Sequence, residues 1–228
     1  MTKLVDLLDQ LKYRRTFGYM DDFDNFVTNQ RWKSVESGTG TAAVGSAVGG
    51  ILELTPSTAA NDATYLNSSG AVFEFLPNQP IVFEALVQFT EANTNEANVA
   101  VGLSDTSDAT TSLTAGNGGP STSYTGMMFF KKGGTNVWGC QSSVGSSQTT
   151  TITSTPAGGA NAQTLTGQFE PISSTQAEAR FFIDGLLVAK QLFTFTTSAL
   201  MKVLLGVKNG SAHGEQLNVD YVAAYQLR

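Results

Sequence analysis

Residues 180–189 read RFFIDGLLVA, an Asp-Gly pair set between two apolar runs. A two-residue type I′ turn needs positive φ at both central positions, which Asp tolerates and Gly adopts freely. The flanks fit such a turn. Ala177, Ala179, Phe181 and Ile183 alternate with Glu178, Arg180 and Phe182, and Leu186, Leu187 and Val188 form the return. Period-two alternation describes a strand with one buried face, and Phe182 predicts partial cover on the other. The stretch therefore predicts an antiparallel hairpin with Asp184 as a turn residue rather than a reactive group.

The same pattern fills most of the chain. Residues 32–36, 51–55 and 71–75 are short candidates. Residues 80–90 form a long one, with Ile81, Phe83, Ala85, Val87 and Phe89 on one face, and Val99, Val101 and Leu103 keep that period. Residues 127–132 and 202–208 suit strands covered on both faces, residues 148–155 a threonine-rich exposed strand, and Leu165, Gly167 and Phe169 another. In the last strand Leu217, Val219, Tyr221, Ala223, Tyr225 and Leu227 alternate with Asn218, Asp220 and Gln226. About a dozen strands with no helix between them predict an all-β fold, two antiparallel sheets packed as a sandwich. Residues 104–123 are polar and glycine-rich, too long for an ordinary connection. They are read as a surface loop, the alternative being a short strand around Thr111 to Leu113.

One segment has a different period. Leu4, Leu7, Leu8 and Leu11 fall at i, i+3, i+4 and i+7, so residues 2–15 predict an amphipathic helix. Thr2 is placed to cap its start, and Lys12, Arg14 and Arg15 suit the negative end of its dipole. A helix this short needs a packing partner, either its own domain or a neighbouring subunit. The predicted organisation is an N-terminal arm over 1–16 and a sandwich over 17–228.

Charge narrows the function. Charged residues are 14% of the chain and the formal net charge is −6. The 13 basic residues are scattered, which argues against a nucleic-acid face. No run approaches the roughly twenty apolar residues of a membrane span. The first fifteen residues, interrupted by Asp6 and Asp9, lack the apolar core of an export signal. Cys140 is the single cysteine, so no internal disulfide framework exists, and its neighbour Trp138 marks it as a small core residue.

Catalytic signatures are weak. His213, the single histidine, lies in NGSAHGE, far from any nucleophile motif. Glu74, Glu84, Glu170 and Glu178 read as isolated charges on solvent faces, not as the paired carboxylates of a glycosidase. Asp21, Asp22, Asp24 and Asn25, with Asp220 in the final strand, offer hard oxygen atoms for calcium, but their spacing fits an Asp-rich turn better. Neither catalytic nor metal-binding residues are assigned, and no cofactor is expected.

Three stretches resemble a known fold. FFIDGLLVA resembles the late hairpin of concanavalin A-like, laminin G-type jelly rolls, DDFDNF followed by Trp32 their first strand, and LNVDYVAAYQL their closing strand. The chain lacks the Glu-x-Asp-x-x-Glu strand of the glycosidase branch and the histidine-containing metal motif of legume lectins. The whole chain also resembles small structural proteins of tailed bacteriophages that decorate or cement the capsid, through GILELTPSTAANDATYLNS, FEALVQFTEANTNEANVAVGLSD and NVDYVAAYQLR. That resemblance implies a non-enzymatic homo-oligomer, a trimer by expectation, bound to the major capsid protein and assembled in the host cytoplasm. On this expectation Leu4, Leu7, Leu8 and Leu11 anchor the arm to its partner and Arg14 and Arg15 contact the rim. The alternatives are a glycan-binding module, with Trp138 and Tyr124 stacking on sugar rings, and, third, a polysaccharide-cleaving enzyme.

Overall fold

The computed structural model describes residues 16–27, 29–45, 49–92, 95–106, 112–114, 117–159, 161–196 and 199–228. Strands are numbered in chain order. One sheet runs β13 (Leu186–Thr194), β12 (Gln176–Ile183), β11 (Gln163–Pro171), β6 (Ile81–Thr90), β15 (Gln216–Leu227), β4 (Leu52–Thr55) and β3 (Thr41–Val44), with β1 (Thr16–Asp21) also on β15. The other runs β10 (Ser147–Pro156), β9 (Val137–Val144), β8 (Gly126–Lys131), β7 (Ala97–Ser104), β14 (Lys202–Asn209), β5 (Ala63–Ser68) and β2 (Trp32–Ser37). Every pairing between these strands is antiparallel. The described residues thus form the predicted all-β sandwich. The predicted N-terminal helix lies outside them.

Alternation builds the core between the sheets. Ile81, Phe83, Ala85, Val87 and Phe89 of β6 face Val99, Val101 and Leu103 of β7 and Val203, Leu205 and Val207 of β14 in one buried cluster. Aromatic rings fill the ends. Phe75 stacks on Phe169 at 4.6 Å between centroids, and Trp138 meets Phe89 edge-on at 6.0 Å. Asp184 and Gly185 take φ of 51° and 78°, as the type I′ hairpin requires.

Several expectations need correction. Residues 71–75 form no strand, because Phe73 makes only a single bridge to Met201. β1, β3, β5 and β9 were not anticipated; β3 has only four residues, and β9 is diluted by Gly139, Gln141 and serines. The closing strand does not keep one face throughout. A bulge between Val219 and Tyr221 inserts Asp220 as an extra residue against β6. Leu217, Val219, Val222 and Ala224 therefore point into the core, while Ala223 and Tyr225 join a separate cluster with Val82 and Leu227 on the outer face.

The long polar connection is not simply a surface loop. Ser112 and Leu113 are buried, and Leu113 bridges Pro120. Leu113 and Tyr124 pack with Ala63, Tyr65, Ala100, Met128 and Leu204 on the outer face of the seven-stranded sheet, a second small core. The floor is flat because Tyr65 lies over Gly206, where a Cβ would meet the ring at 2.2 Å. Lys208 donates its ammonium to the carbonyl of Thr114, which fastens the cover to β14.

Candidate functional site

The fold spends most of its clustered polar groups on itself. In the Asp-rich turn, Asp21 has a structural role. Asp21 accepts the Trp32 indole N–H at 2.8 Å and the Phe23 amide at 2.9 Å, and Arg31 lies 3.7 Å from the same carboxylate. Asp21 is thereby occupied as a turn clasp. Among the described residues no group of three or more His, Cys, Asp or Glu is arranged to hold a metal ion.

A second polar group closes one end of the sandwich. Lys131 is buried, with its ammonium on the Glu91 carboxylate and 2.9 Å from the Ala97 carbonyl. Burial lowers its pKa, and the bond to Glu91 works against that shift. Glu91 also accepts the amides of Asn95 and Ala97. Beside them Glu215 is buried, accepts the Ala92 amide at 3.2 Å, and leaves its Oε1 without a hydrogen-bond partner. Burial pushes the Glu215 carboxyl up to about 7, with Glu91 adding to the shift. A carboxyl this deep is out of reach of a polymeric substrate, so the cluster serves loop architecture.

The aromatic residues expected to stack on sugars are not available. Trp138 is fully buried and donates its indole N–H to Gln163 at 2.8 Å. Tyr124 is buried under the outer-face cover. His213 lies in an exposed bend, apart from the only cysteine, Cys140, which is buried and whose thiol pKa burial raises.

The outer face of the eight-stranded sheet carries a further polar group. Glu84 there accepts the Thr166 hydroxyl and the Tyr221 phenol, each at 2.9 Å. With Thr164, Asp184 and Gly185 these residues line a recess of about 380 Å³. Burial and the bond to Glu84 raise the Tyr221 pKa, which keeps that phenol protonated. The reading of Glu84 and Glu178 as isolated charges is thereby revised: Glu178 is paired with Arg180 and Lys190, and the Lys190 bond leads in holding its carboxyl below the usual range. The arrangement can bind hydroxyl groups, but each acid already carries internal partners.

At the edge of the same sheet, β13 exposes Leu186, Leu187 and Leu192 at 72, 54 and 61%. Among the described residues their strand is paired on one side only, with β12. An unpaired strand edge carrying bare leucines invites association. The predicted partner-binding residues Leu4, Leu7, Leu8, Leu11, Arg14 and Arg15 lie outside the described residues. The leucines of β13 were in view at the hairpin, but exposure is a tertiary property that alternation alone does not give.

The sandwich is of the concanavalin A-like jelly-roll class, the architecture of lectins and of some glycan-active enzymes. No family model and no curated protein matches the sequence. Among solved structures the chain is similar to an endo-1,3-beta-glucanase from Streptomyces sioyaensis (17% identity, 93% of this chain and 97% of that one, TM-score 0.61). It is similar also to the carbohydrate recognition domain of Emp47p (10%, 92 and 94%, TM-score 0.62) and to peanut lectin with a bound nonapeptide (12%, 92 and 97%, TM-score 0.60). At such identities the likeness is one of fold.

Proposed function

We propose that this chain is a non-enzymatic structural protein of a tailed-bacteriophage virion, a homo-oligomer, trimeric in the simplest form, that decorates or cements the capsid through contacts with the major capsid protein. The observation that carries the reading is the β13 edge, a strand that itself bears three exposed leucines and that, among the described residues, pairs with β12 alone. Such a surface suits a protein that works by being covered. Support comes also from the resemblance of GILELTPSTAANDATYLNS and NVDYVAAYQLR to capsid decoration proteins, and from acids engaged in internal hydrogen bonds.

The test is twofold. Light scattering on the purified chain is expected to give an oligomer, and Leu187→Asp with Leu192→Asp is expected to yield monomer and to lower retention on purified particles at least tenfold. A monomeric natural chain with no affinity for particles defeats the proposal. A second reading, a glycan-binding module on the virion surface, is favoured by the fold it shares with lectins and by the recess at Glu84, Asp184 and Tyr221. Retention of a defined oligosaccharide, lost in Tyr221→Phe and Glu84→Gln, would establish that reading instead. Polysaccharide turnover abolished by Glu84→Gln would make the protein an enzyme.

A further inference from the structure

The recess at Glu84 has a neighbour on its own sheet face. A second recess, of about 260 Å³, is lined by Leu86, Gln88, Asn218 and Asp220, with Ile51 and Ala162 at its sides. Strand register joins the two. Leu86 of β6 stands between Thr164 of β11 and Tyr221 of β15 in one row across the sheet. Thr164 and Tyr221 line the first recess and Leu86 lines the second, so they meet at that row. Phe83, Ala85, Val87 and Phe89 point into the core, which leaves Glu84, Leu86 and Gln88 to mark one open trough along β6. From Glu84 to Gln88 the strand rises about 14 Å. That length suits a stretch of chain rather than one small ring.

The polar atoms of the trough are acceptors. Thr166 and Tyr221 each donate their one hydroxyl hydrogen to Glu84, so their oxygens meet a ligand with lone pairs only. Asp184 spends Oδ1 on the Thr164 amide and keeps Oδ2, and Asp220 brings a carboxylate to the far recess. Such a surface takes hydroxyl donors. No Lys, Arg or His lines either recess, so a phosphate, sulfate or uronate meets like charge with nothing to offset it. A lone amine would be held at one carboxylate and would leave the rest of the trough empty. Leu86 at the middle supplies apolar ground between polar ends, the usual make-up of a site for a neutral organic ligand.

We propose that the trough along β6 binds a neutral, hydroxyl-rich chain, a linear oligosaccharide lying across both recesses, and refuses anionic chains. This rests on the glycan-binding reading of the Glu84 recess and deepens it. The ligand is an internal stretch of chain rather than a single terminal sugar, and Asn218 and Asp220 set the length preference from the far end.

Calorimetric titration of the full chain tests it. The probes are the disaccharide and hexasaccharide of several neutral linear series (gluco-, manno- and xylo-oligosaccharides) and a galacturonate hexamer. At least one neutral hexasaccharide is expected to bind at least tenfold more tightly than its own disaccharide, and the galacturonate hexamer at least tenfold more weakly than that hexasaccharide. Asn218→Ala with Asp220→Ala is expected to remove most of the length gain, and Glu84→Gln to weaken both lengths, with circular dichroism checking that each variant folds. Equal binding of both lengths, lost in Glu84→Gln, leaves the glycan-binding reading standing and overturns the trough. A length gain that survives Asn218→Ala with Asp220→Ala does the same. Galacturonate bound as tightly as the neutral chains overturns the assignment of a neutral ligand. Binding of none of the probes overturns the trough and the glycan-binding reading together.

Discussion

Four residues show how local chemistry is settled by surroundings. Gly185 and Asp184 occupy left-handed backbone, and Asp184 Oδ1 accepts the Thr164 amide at 2.9 Å, tying the turn to β11. A β-branched residue at 185 is strained there, so Gly185→Val is expected to lower the urea unfolding free energy by about 1–2 kcal/mol, while Asp184→Asn stays within about 0.5 kcal/mol. Glu215 carries the pH response. Its folded-state carboxyl is raised from 4.5 to about 7, so the folded state holds the proton more tightly than the unfolded chain. That contribution is complete below about 4.5 and is lost as pH rises through about 7. Urea titrations at pH 5 and pH 8 are expected to show stability falling between them, and less so in Glu215→Gln. Tyr124 hides a phenol with no hydrogen-bond partner, its pKa raised by burial. Removing an unsatisfied buried hydroxyl costs little, so Tyr124→Phe is expected to leave the urea midpoint unchanged or raise it.

At the scale of elements, the closing strand teaches most. Twelve residues of alternation look like a single face, and the bulge at Asp220 divides them into two. The N-terminal half pairs with β4 and the C-terminal half with β1, so β15 ties both parts of the sheet edge to its centre. The segment reaching Leu113 is the other element that sequence misplaced. Its glycines and serines predict solvent, yet Leu113 packs with Tyr124 on Ala100 and Leu204, and Thr114 accepts a bond from Lys208. Leu113→Ala is expected to cost about 2–3 kcal/mol in urea unfolding, as truncation of a fully buried leucine does. A change within about 0.5 kcal/mol would mean that the outer cover contributes nothing to the fold.

For the whole molecule, sequence by itself determined the class of fold, most strand positions and the hairpin at Asp184-Gly185. Those follow from short-range rules: period-two burial and backbone sterics act between neighbours a few residues apart. It also determined that Cys140 belongs to the core and that His213 belongs to a turn. Tertiary structure alone decided which face each half of β15 presents, that Trp138 and Tyr124 are sealed away from ligands, and that Glu84, Thr166 and Tyr221 meet around one recess. It decided too that the leucines of β13 are bare. Glu84 and Tyr221 are 137 residues apart in the chain. No periodicity reports such a meeting, because contacts at that separation are fixed by strand order and register, which arise only when the whole chain packs.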